Sequence, residues 1–395
     1  MTDKKTVVLG VCGGIAAYKA LEIVSFLKKK DIDIHVIMTE AAEKFVTPLS
    51  FQALSQNMVS TDMFSEPKAF EIQHISLAQK ADVMLIAPAT ANFIGKAASG
   101  IADDLLTTTI MATKAPIVVA PAMNTNMYLN PVVQKNIEKL KEHGYKFINP
   151  GSGRLACGDT GEGKLAEVDE ICDFVLKELY DLKDLSGKKV LVTAGPTIAP
   201  IDPVRYITNR SSGKMGYAIA EEAAYRGAEV TLISGPSNVK PLYGVNIINI
   251  KTTEDMYKEV TGIFNNFDIV IKAAAVADYK PKTYSEQKIK KASDDVTIEF
   301  VKDFDILKKL GELKKNQILV GFAAESQDLL SNAQGKLQKK NLDYIVANDI
   351  TKTGFATDDN KVTILRRDGD PVYLEKMSKR NVARELFNLI LHTKK

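Results

Sequence analysis

Short apolar runs rich in β-branched residues alternate along this chain with longer stretches of helical periodicity. In the first half the runs are TVVLGV (6–11), IDIHVIMT (32–39), ADVMLIAP (81–88) and APIVVAPA (115–122). Between the first two, AAYKALEIVSFLKKK (16–30) has the spacing of an amphipathic helix. This alternation predicts strands crossing to helices and back, the pattern of a parallel α/β sheet.

The same grammar restarts at GKKVLVTAGPT (187–197). A helix is expected over GKMGYAIAEEAAYRG (213–227), and strands in AEVTLISGP (228–236), FDIVIKAAAV (267–276), QILVGFAAE (317–325) and DYIVAND (343–349). The tail from Met377 reads as a closing amphipathic helix. The helical stretch ICDFVLKELYDLKDLSG (171–187) runs into charged residues and a glycine, which sets a boundary near 185. The expected fold is therefore α/β with two Rossmann-like parallel-sheet domains, 1–185 and 186–395.

Composition narrows the function. At 395 residues and 45% hydrophobic, the chain is long for one core, in keeping with two. The 52 basic and 49 acidic side chains leave a net charge of +3, with no general pull toward nucleic acid or membrane. No apolar run reaches the roughly 20 residues that span a bilayer, and the first residues lack a signal-like segment, so a cytoplasmic protein is expected. Cys12, Cys157 and Cys172 are scattered, which supports neither a disulfide framework nor a C-x-x-C site. The four histidines stand apart from one another and from the cysteines, against a bound transition metal.

Candidate chemistry in the first half gathers at strand ends. VVLGVCGGIAAYKA (7–20) turns on Gly10, Gly13 and Gly14 and opens a helix, a place for a phosphate, although the spacing is not G-x-G-x-x-G. An NAD reading needs Glu40 on the ribose, whereas Thr39 before it reads as a helix N-cap; a monophosphate cofactor such as FMN fits without Glu40. Thr90 and Asn92 in LIAPATANFIGK and Asn124 in VVAPAMNTNMYLNP follow apolar runs that proline is expected to end. Each is either a ligand contact or an ordinary helix cap. His74 opens a helix-like stretch, and Cys157 lies in GRLACGDTGEGKLAE (153–167), whose glycines suggest a mobile loop.

GGIAAYK, PATANFIGK, PAMNTNMY and ACGDTGEGKLAE, in this order, resemble the homo-oligomeric flavin-containing cysteine decarboxylases, which include the decarboxylase acting on phosphopantothenoylcysteine. The resemblance implies FMN held at Gly13, Gly14, Ile15, Thr39, Phe45, Thr90 and Asn92. It further implies His74 as base, Asn124 holding the substrate carboxylate and Cys157 as the acid on a flap. Cys12 departs from the serine common at its position, so a hydroxyl contact to the flavin phosphate is missing. A first half that binds flavin as a regulatory module without catalysis is the alternative, against which intact His74, Asn124 and Cys157 argue.

In the second half, Gly213-Lys214 is not a P-loop, since Met215 follows where a hydroxyl should hold magnesium. The surviving feature is a helix N-terminus with Arg210 and Lys214 nearby. Lys288, Lys290 and Lys291 form one basic cluster and Lys336, Lys339 and Lys340 another; they are a solvated face or a site for a triphosphate.

DPVRYITNRSSGKMGYAIA, AAAVADY, KIKK and GFAAE resemble phosphopantothenate–cysteine ligase, and the order of halves matches bacterial fusions with the decarboxylase. The resemblance implies that CTP with Mg2+ activates the carboxylate of 4'-phosphopantothenate as an acyl-cytidylate, from which the amino group of L-cysteine displaces CMP. It places Asn209 at the acyl-cytidylate and Lys288 at phosphate. Ala273, Ala274, Asp278, Phe304, Asp305, Ile306, Leu307, Phe322, Lys336 and Lys340 fall at the nucleotide, where Asp278 meets the base amino group or helps hold Mg2+. Decarboxylase trimers joined with ligase dimers are implied for the assembly. The small-molecule partners are then 4'-phosphopantothenate, L-cysteine, CTP and 4'-phosphopantothenoylcysteine.

Overall fold

The computed structural model describes residues 4–64, 72–154, 158, 160–290, 297–325, 329–349 and 357–392. The chain divides into two compact units, Met1–Asp181 and Leu182–Lys395.

In the first unit, strands β1 (Thr6–Val11), β2 (Asp33–Met38), β3 (Val83–Ala89), β4 (Ile117–Pro121) and β5 (Lys146–Phe147) form a parallel sheet in the order β2-β1-β3-β4-β5. The helices are α1 (Lys19–Lys29), α2 (Glu40–Glu43), α3 (Pro48–Ser55), α4 (Gln73–Lys80), α5 (Ala91–Ser99), α6 (Leu105–Ala112), α7 (Thr125–Tyr128), α8 (Pro131–Glu142) and α9 (Val168–Leu179). A hairpin, β6 (Gly151–Arg154) with β7 (Thr160–Lys164), carries the cysteine loop. Alternation along β1 explains the layers. Val7, Leu9 and Val11 pack with α1 and α9, while Val8 joins Met84, Ile86 and the apolar sides of α5, α6 and α8. Both faces are covered, so the strands read as nearly unbroken apolar runs.

Proline does not end β3 as the sequence suggests. The strand continues through Pro88 to Ala89, with a shift of register against β4 between Ile86 and Ala89. An irregularity of this kind is where a residue without an N–H is tolerated in a ladder. The Pro88 carbonyl still serves, accepting from the Cys12 N–H at 3.2 Å.

The second unit comprises β8 (Lys189–Ala194), β9 (Ile198–Pro200), β10 (Tyr206–Thr208), α10 (Lys214–Tyr225), β11 (Glu229–Ser234), β12 (Asn246–Asn249), α11 (Thr253–Ile263) and β13 (Ile269–Lys272). There follow β14 (Tyr279–Pro281), β15 (Phe300–Lys302), α12 (Ile306–Leu313), β16 (Ile318–Glu325), α13 (Leu329–Lys339) and β17 (Tyr344–Asp349). The unit closes with β18 (Asp359–Asn360), β19 (Val362–Arg366), β20 (Val372–Tyr373), β21 (Met377–Ser378) and α14 (Lys379–His392). The main sheet runs β12-β11-β8-β13-β16-β17-β19-β20. Its first six strands are parallel, but β19 and β20 are antiparallel, an edge hairpin absent from the sequence reading. Asp368-Gly369 between its two strands was the available turn signal, with Gly369 at φ +135°.

Arg226, fully buried, ties this unit together. Its guanidinium donates to Glu222 (3.0 Å), Asp184 (3.3 Å), the Arg384 carbonyl (3.1 Å) and Asn388 Oδ1 (2.5 Å). A buried cation must be compensated, and these acceptors join α10, α14 and the residues just after the division at Leu182. Leu185, wholly buried in the second core, belongs to the same arrangement.

Candidate active sites

In the first unit a cavity of about 1090 Å³ opens at the carboxyl ends of β1 to β4. Sheet order reverses between β1 and β3, which is where parallel sheets bind ligands. Of the residues assigned to flavin by resemblance, Gly13, Gly14, Ile15, Thr39, Thr90 and Asn92 line this cavity, as does Asn124. Phe45 and His74 are not in its wall; Phe45 is exposed after α2 and His74 sits in the first turn of α4. Cys157 lies outside the described residues.

Local structure explains why these residue types stand here. A Cβ on Gly13 would lie 2.4 Å from the Ala41 Cβ and 2.7 Å from its carbonyl oxygen, so only glycine lets the loop pass α2. Gly14 is extended and caps a 3-10 turn, Ile15–Tyr18, that leads into α1. Thr39 caps α2 by accepting from the Ala42 N–H (3.3 Å), Thr90 caps α5 through the Phe93 N–H (3.3 Å), and Asn124 caps α7 through the Asn126 N–H (2.9 Å). For Thr90 and Asn124 capping and cavity lining, posed as alternatives by the sequence, are both true. Asn92 lines the cavity from within α5 without being its cap, and Thr39, read as a cap, also lines the cavity.

The hairpin β6–β7 is docked against the Asn124 segment. The Met123 N–H donates to the Gly163 carbonyl at 2.9 Å, and a Cβ on Gly161 would stand 2.7 Å from Thr125 Oγ1. Glycines read as a source of mobility therefore also permit close approach in the arms of the loop.

Sequence reasoning overlooked Lys96, Asp103, Asp104 and Arg154 in the wall. Lys96 Nζ lies 2.7 Å from Asp103 and 3.3 Å from Asp104, and Asp104 forms a capping box with Thr107. The Asp-x-x-Thr spacing was a readable sign of that helix start. Cys12 also lines the cavity; burial pushes its thiol up to about 12, so it stays protonated at neutral pH. Burial raises Cys172 as well.

The second unit holds a cavity of about 590 Å³ at the carboxyl ends of β13, β16 and β17. Among the residues the second resemblance assigns, Lys288 is the exception: it is exposed and outside the wall, which includes all the others, Asn209 among them. Asn209 Nδ2 donates to the Ala275 carbonyl at 3.0 Å. Asp305 caps α12 through the Lys308 N–H (3.0 Å) and pairs with Lys340 (2.9 Å). Burial pushes the Asp305 carboxyl up, but these donors hold it below its ordinary value.

The neighbour of Lys288 is clamped. The Ile289 N–H donates to Asp202 (3.2 Å), while Arg205 Nη2 donates to the Ile289 carbonyl (2.8 Å). Asp202, with a fully buried side chain, also accepts from the Val204 and Arg205 N–H groups and from Arg205 Nε. Further polar wall residues not singled out from sequence are Lys272, Asn348, Asn360 and Lys379. Among the described residues no group of three or more His, Cys, Asp or Glu side chains is placed to hold a metal ion. No described helix is long and apolar enough to cross a membrane.

The sequence matches the flavoprotein family over residues 1–180 and the family described as DNA/pantothenate metabolism flavoprotein C-terminal domain over residues 185–393. Coenzyme A biosynthesis bifunctional protein CoaBC of Bacillus subtilis (strain 168) is 49% identical over 395 residues, covering 99% of this chain and 97% of the relative. Its counterpart in Borreliella burgdorferi (strain ATCC 35210 / DSM 4680 / CIP 102532 / B31) is 46% identical over 393 residues, 99% of this chain and 100% of the relative. A crystal structure of the C-terminal domain of a CoaBC protein aligns with TM-score 0.47 and 44% identity, covering 53% of this chain and 97% of that one. With a flavoprotein half, a pantothenate-metabolism half and full-length similarity to both relatives, this chain belongs to the family of bifunctional coenzyme A biosynthesis proteins, CoaBC.

Proposed function

We propose that the second unit joins 4'-phosphopantothenate to L-cysteine at the expense of CTP, through an acyl-cytidylate, and that the first unit decarboxylates the resulting 4'-phosphopantothenoylcysteine to 4'-phosphopantetheine with FMN bound. The observation that carries this reading is the contrast between two cavities on one chain. The first combines a glycine cradle with the capping side chains of Thr39, Thr90 and Asn124 and a wall of both charge signs, whereas the second gathers five lysines.

The first cavity fits FMN on its own features, a loop too tight for any Cβ at Gly13 and a helical turn opening at Gly14. Gly13, Gly14 and Ile15 would hold its phosphate, and Thr39, Thr90 and Asn92 the rest of the cofactor. When bound, FMN supplies the redox capacity that lets a cysteine moiety lose its carboxylate. Asn124 orients that carboxylate, since an amide does so without titrating. His74 as base and Cys157 as acid are assigned by resemblance; neither belongs to the described wall.

In the second unit Asn209 handles the acyl-cytidylate and Lys336 and Lys340 face the nucleotide; Lys288 is assigned to phosphate by resemblance and lies outside the described wall. Charge that builds on departing pyrophosphate is stabilised by these cations. Asp278 would be the side chain that meets the base amino group or helps hold Mg2+, which would supply charge to the phosphates of CTP. Decarboxylase trimers, ligase dimers and a cytoplasmic setting complete the reading. Bifunctional relatives along the full length support it over a non-catalytic first half.

The test is incubation of the full chain with 4'-phosphopantothenate, L-cysteine, CTP and Mg2+, followed by mass detection of 4'-phosphopantetheine. A halt at phosphopantothenoylcysteine overturns the decarboxylase half. Equal turnover with ATP overturns the choice of nucleotide, and a colourless protein overturns FMN.

A further inference from the structure

Lys272 ends β13, the strand at the centre of the second sheet, and its side chain lines the cavity that also contains Asn209. It is half-buried and makes no hydrogen bond or ion pair with any described residue. Its charged surroundings come from three elements. Asp278 follows its own strand, Asp305 caps α12, and Lys340 follows α13, with Lys336 on α13 also in the wall. Asp305 is already engaged by Lys340 at 2.9 Å, so it is not available as a dedicated partner for Lys272. Lys214 and Lys379, elsewhere in the wall, are held by Asp358 and the Thr357 carbonyl respectively.

Among the described residues no acidic side chain contacts the Lys272 ammonium, and Lys272 shares the cavity wall with Lys336 and Lys340, so positive charge converges where a phosphate would enter. We propose that Lys272 is a binding residue of this cavity whose ammonium takes a phosphate oxygen of the ligand, from the nucleotide's phosphate chain or from the phosphate of phosphopantothenate. The inference rests on reading the cavity as the ligase site and adds to it a residue that no motif marks. Burial, with Lys340 adding to it, also pushes the Lys272 ammonium down to about 8. An engaged phosphate raises that value again, so binding takes up a proton where free Lys272 is neutral. Below pH 8 the lysine is already charged and little changes. As pH rises above 8, affinity falls, by up to about tenfold per unit, until the bound-state value is reached.

The experiment titrates CTP, cytidine and 4'-phosphopantothenate separately onto the full chain and onto Lys272→Met and Lys272→Arg, by calorimetry from pH 7 to 9.5. Lys272→Met should weaken the phosphate-bearing ligand about ten- to a hundredfold, the worth of a charge-assisted hydrogen bond, and leave cytidine unchanged. Loss confined to CTP assigns the nucleotide, and loss confined to phosphopantothenate assigns the substrate. Lys272→Arg should keep the affinity and abolish its decline above pH 8, because a guanidinium stays charged. A thermal midpoint no lower than that of the parent protein shows that Lys272→Met remains folded. Equal affinities in parent and Lys272→Met, or an equal loss for cytidine, overturns the inference. Failure of the parent protein to bind CTP overturns the ligase reading itself.

Discussion

The Gly163 carbonyl accepts the Met123 N–H at 2.9 Å, and a Cβ on Gly163 would lie 2.3 Å from the Met123 carbonyl oxygen. The two backbones touch where the cysteine hairpin meets the segment that presents Asn124. Gly163 also has φ +132°, a conformation side chains resist. Gly163→Ala should therefore cost about 1–3 kcal/mol locally and push the hairpin off its seat. Decarboxylation should fall at least tenfold while pyrophosphate release by the second unit is unchanged; equal losses in both assays would show general misfolding instead.

At the other wall of that cavity, Gly13→Ala places a methyl group 2.4 Å from Ala41 Cβ. Neither the loop nor the backbone of α2 can yield without reshaping that cavity wall. Purified Gly13→Ala should emerge largely colourless, with the visible flavin band reduced tenfold or more relative to protein absorbance. Full flavin content would remove Gly13 from the cradle.

Asn209 Nδ2 donates to the Ala275 carbonyl, and a carboxylate in its place has no hydrogen to give. Asn209→Asp should leave pyrophosphate release measurable but slow the transfer to cysteine, so that quenched samples contain the acyl-cytidylate by mass. Parental turnover without that species would exclude Asn209 from the mechanism.

Asp202 carries a pH signature. Its hydrogen bonds from Arg205, with further donors from Val204 and Ile289, hold its carboxyl well below the ordinary 3.8. A depressed folded value contributes stability fully above the unfolded value and loses it as pH falls from there through the folded one. Denaturant unfolding should thus find Asp202→Asn less stable than the parent at pH 5 and above, with the difference shrinking below pH 3.8. A gap independent of pH would mean that packing, not ionisation, is what Asp202 supplies. The same variant should loosen the Ile289 amide, read as faster hydrogen exchange.

The parts of this molecule visible in its sequence are those where one force dominates. Buried parallel strands such as Val83–Ala89 need apolar residues on both faces, and caps such as Thr39 and Thr90 need a side-chain oxygen before a helical run. Competing demands hide the rest. Pro88 looked like a strand end because its lost N–H is tolerated only at an irregularity that tertiary pairing creates. Lys272 was not singled out, although the resemblance assigns its neighbours Ala273 and Ala274 to the nucleotide, because no motif says which side chains of a strand end face the cavity. His74, Phe45 and Lys288 were assigned by resemblance, which does not say where in the folded unit a side chain stands, and all three lie outside the described cavity walls.

Each of the four buried apolar clusters draws its members from one side of the division between Asp181 and Leu182. The junction is therefore a seam in the hereditary sense: a gene could be cut or joined there without opening either interior. A large-to-small substitution in one cluster opens a cavity in that interior alone.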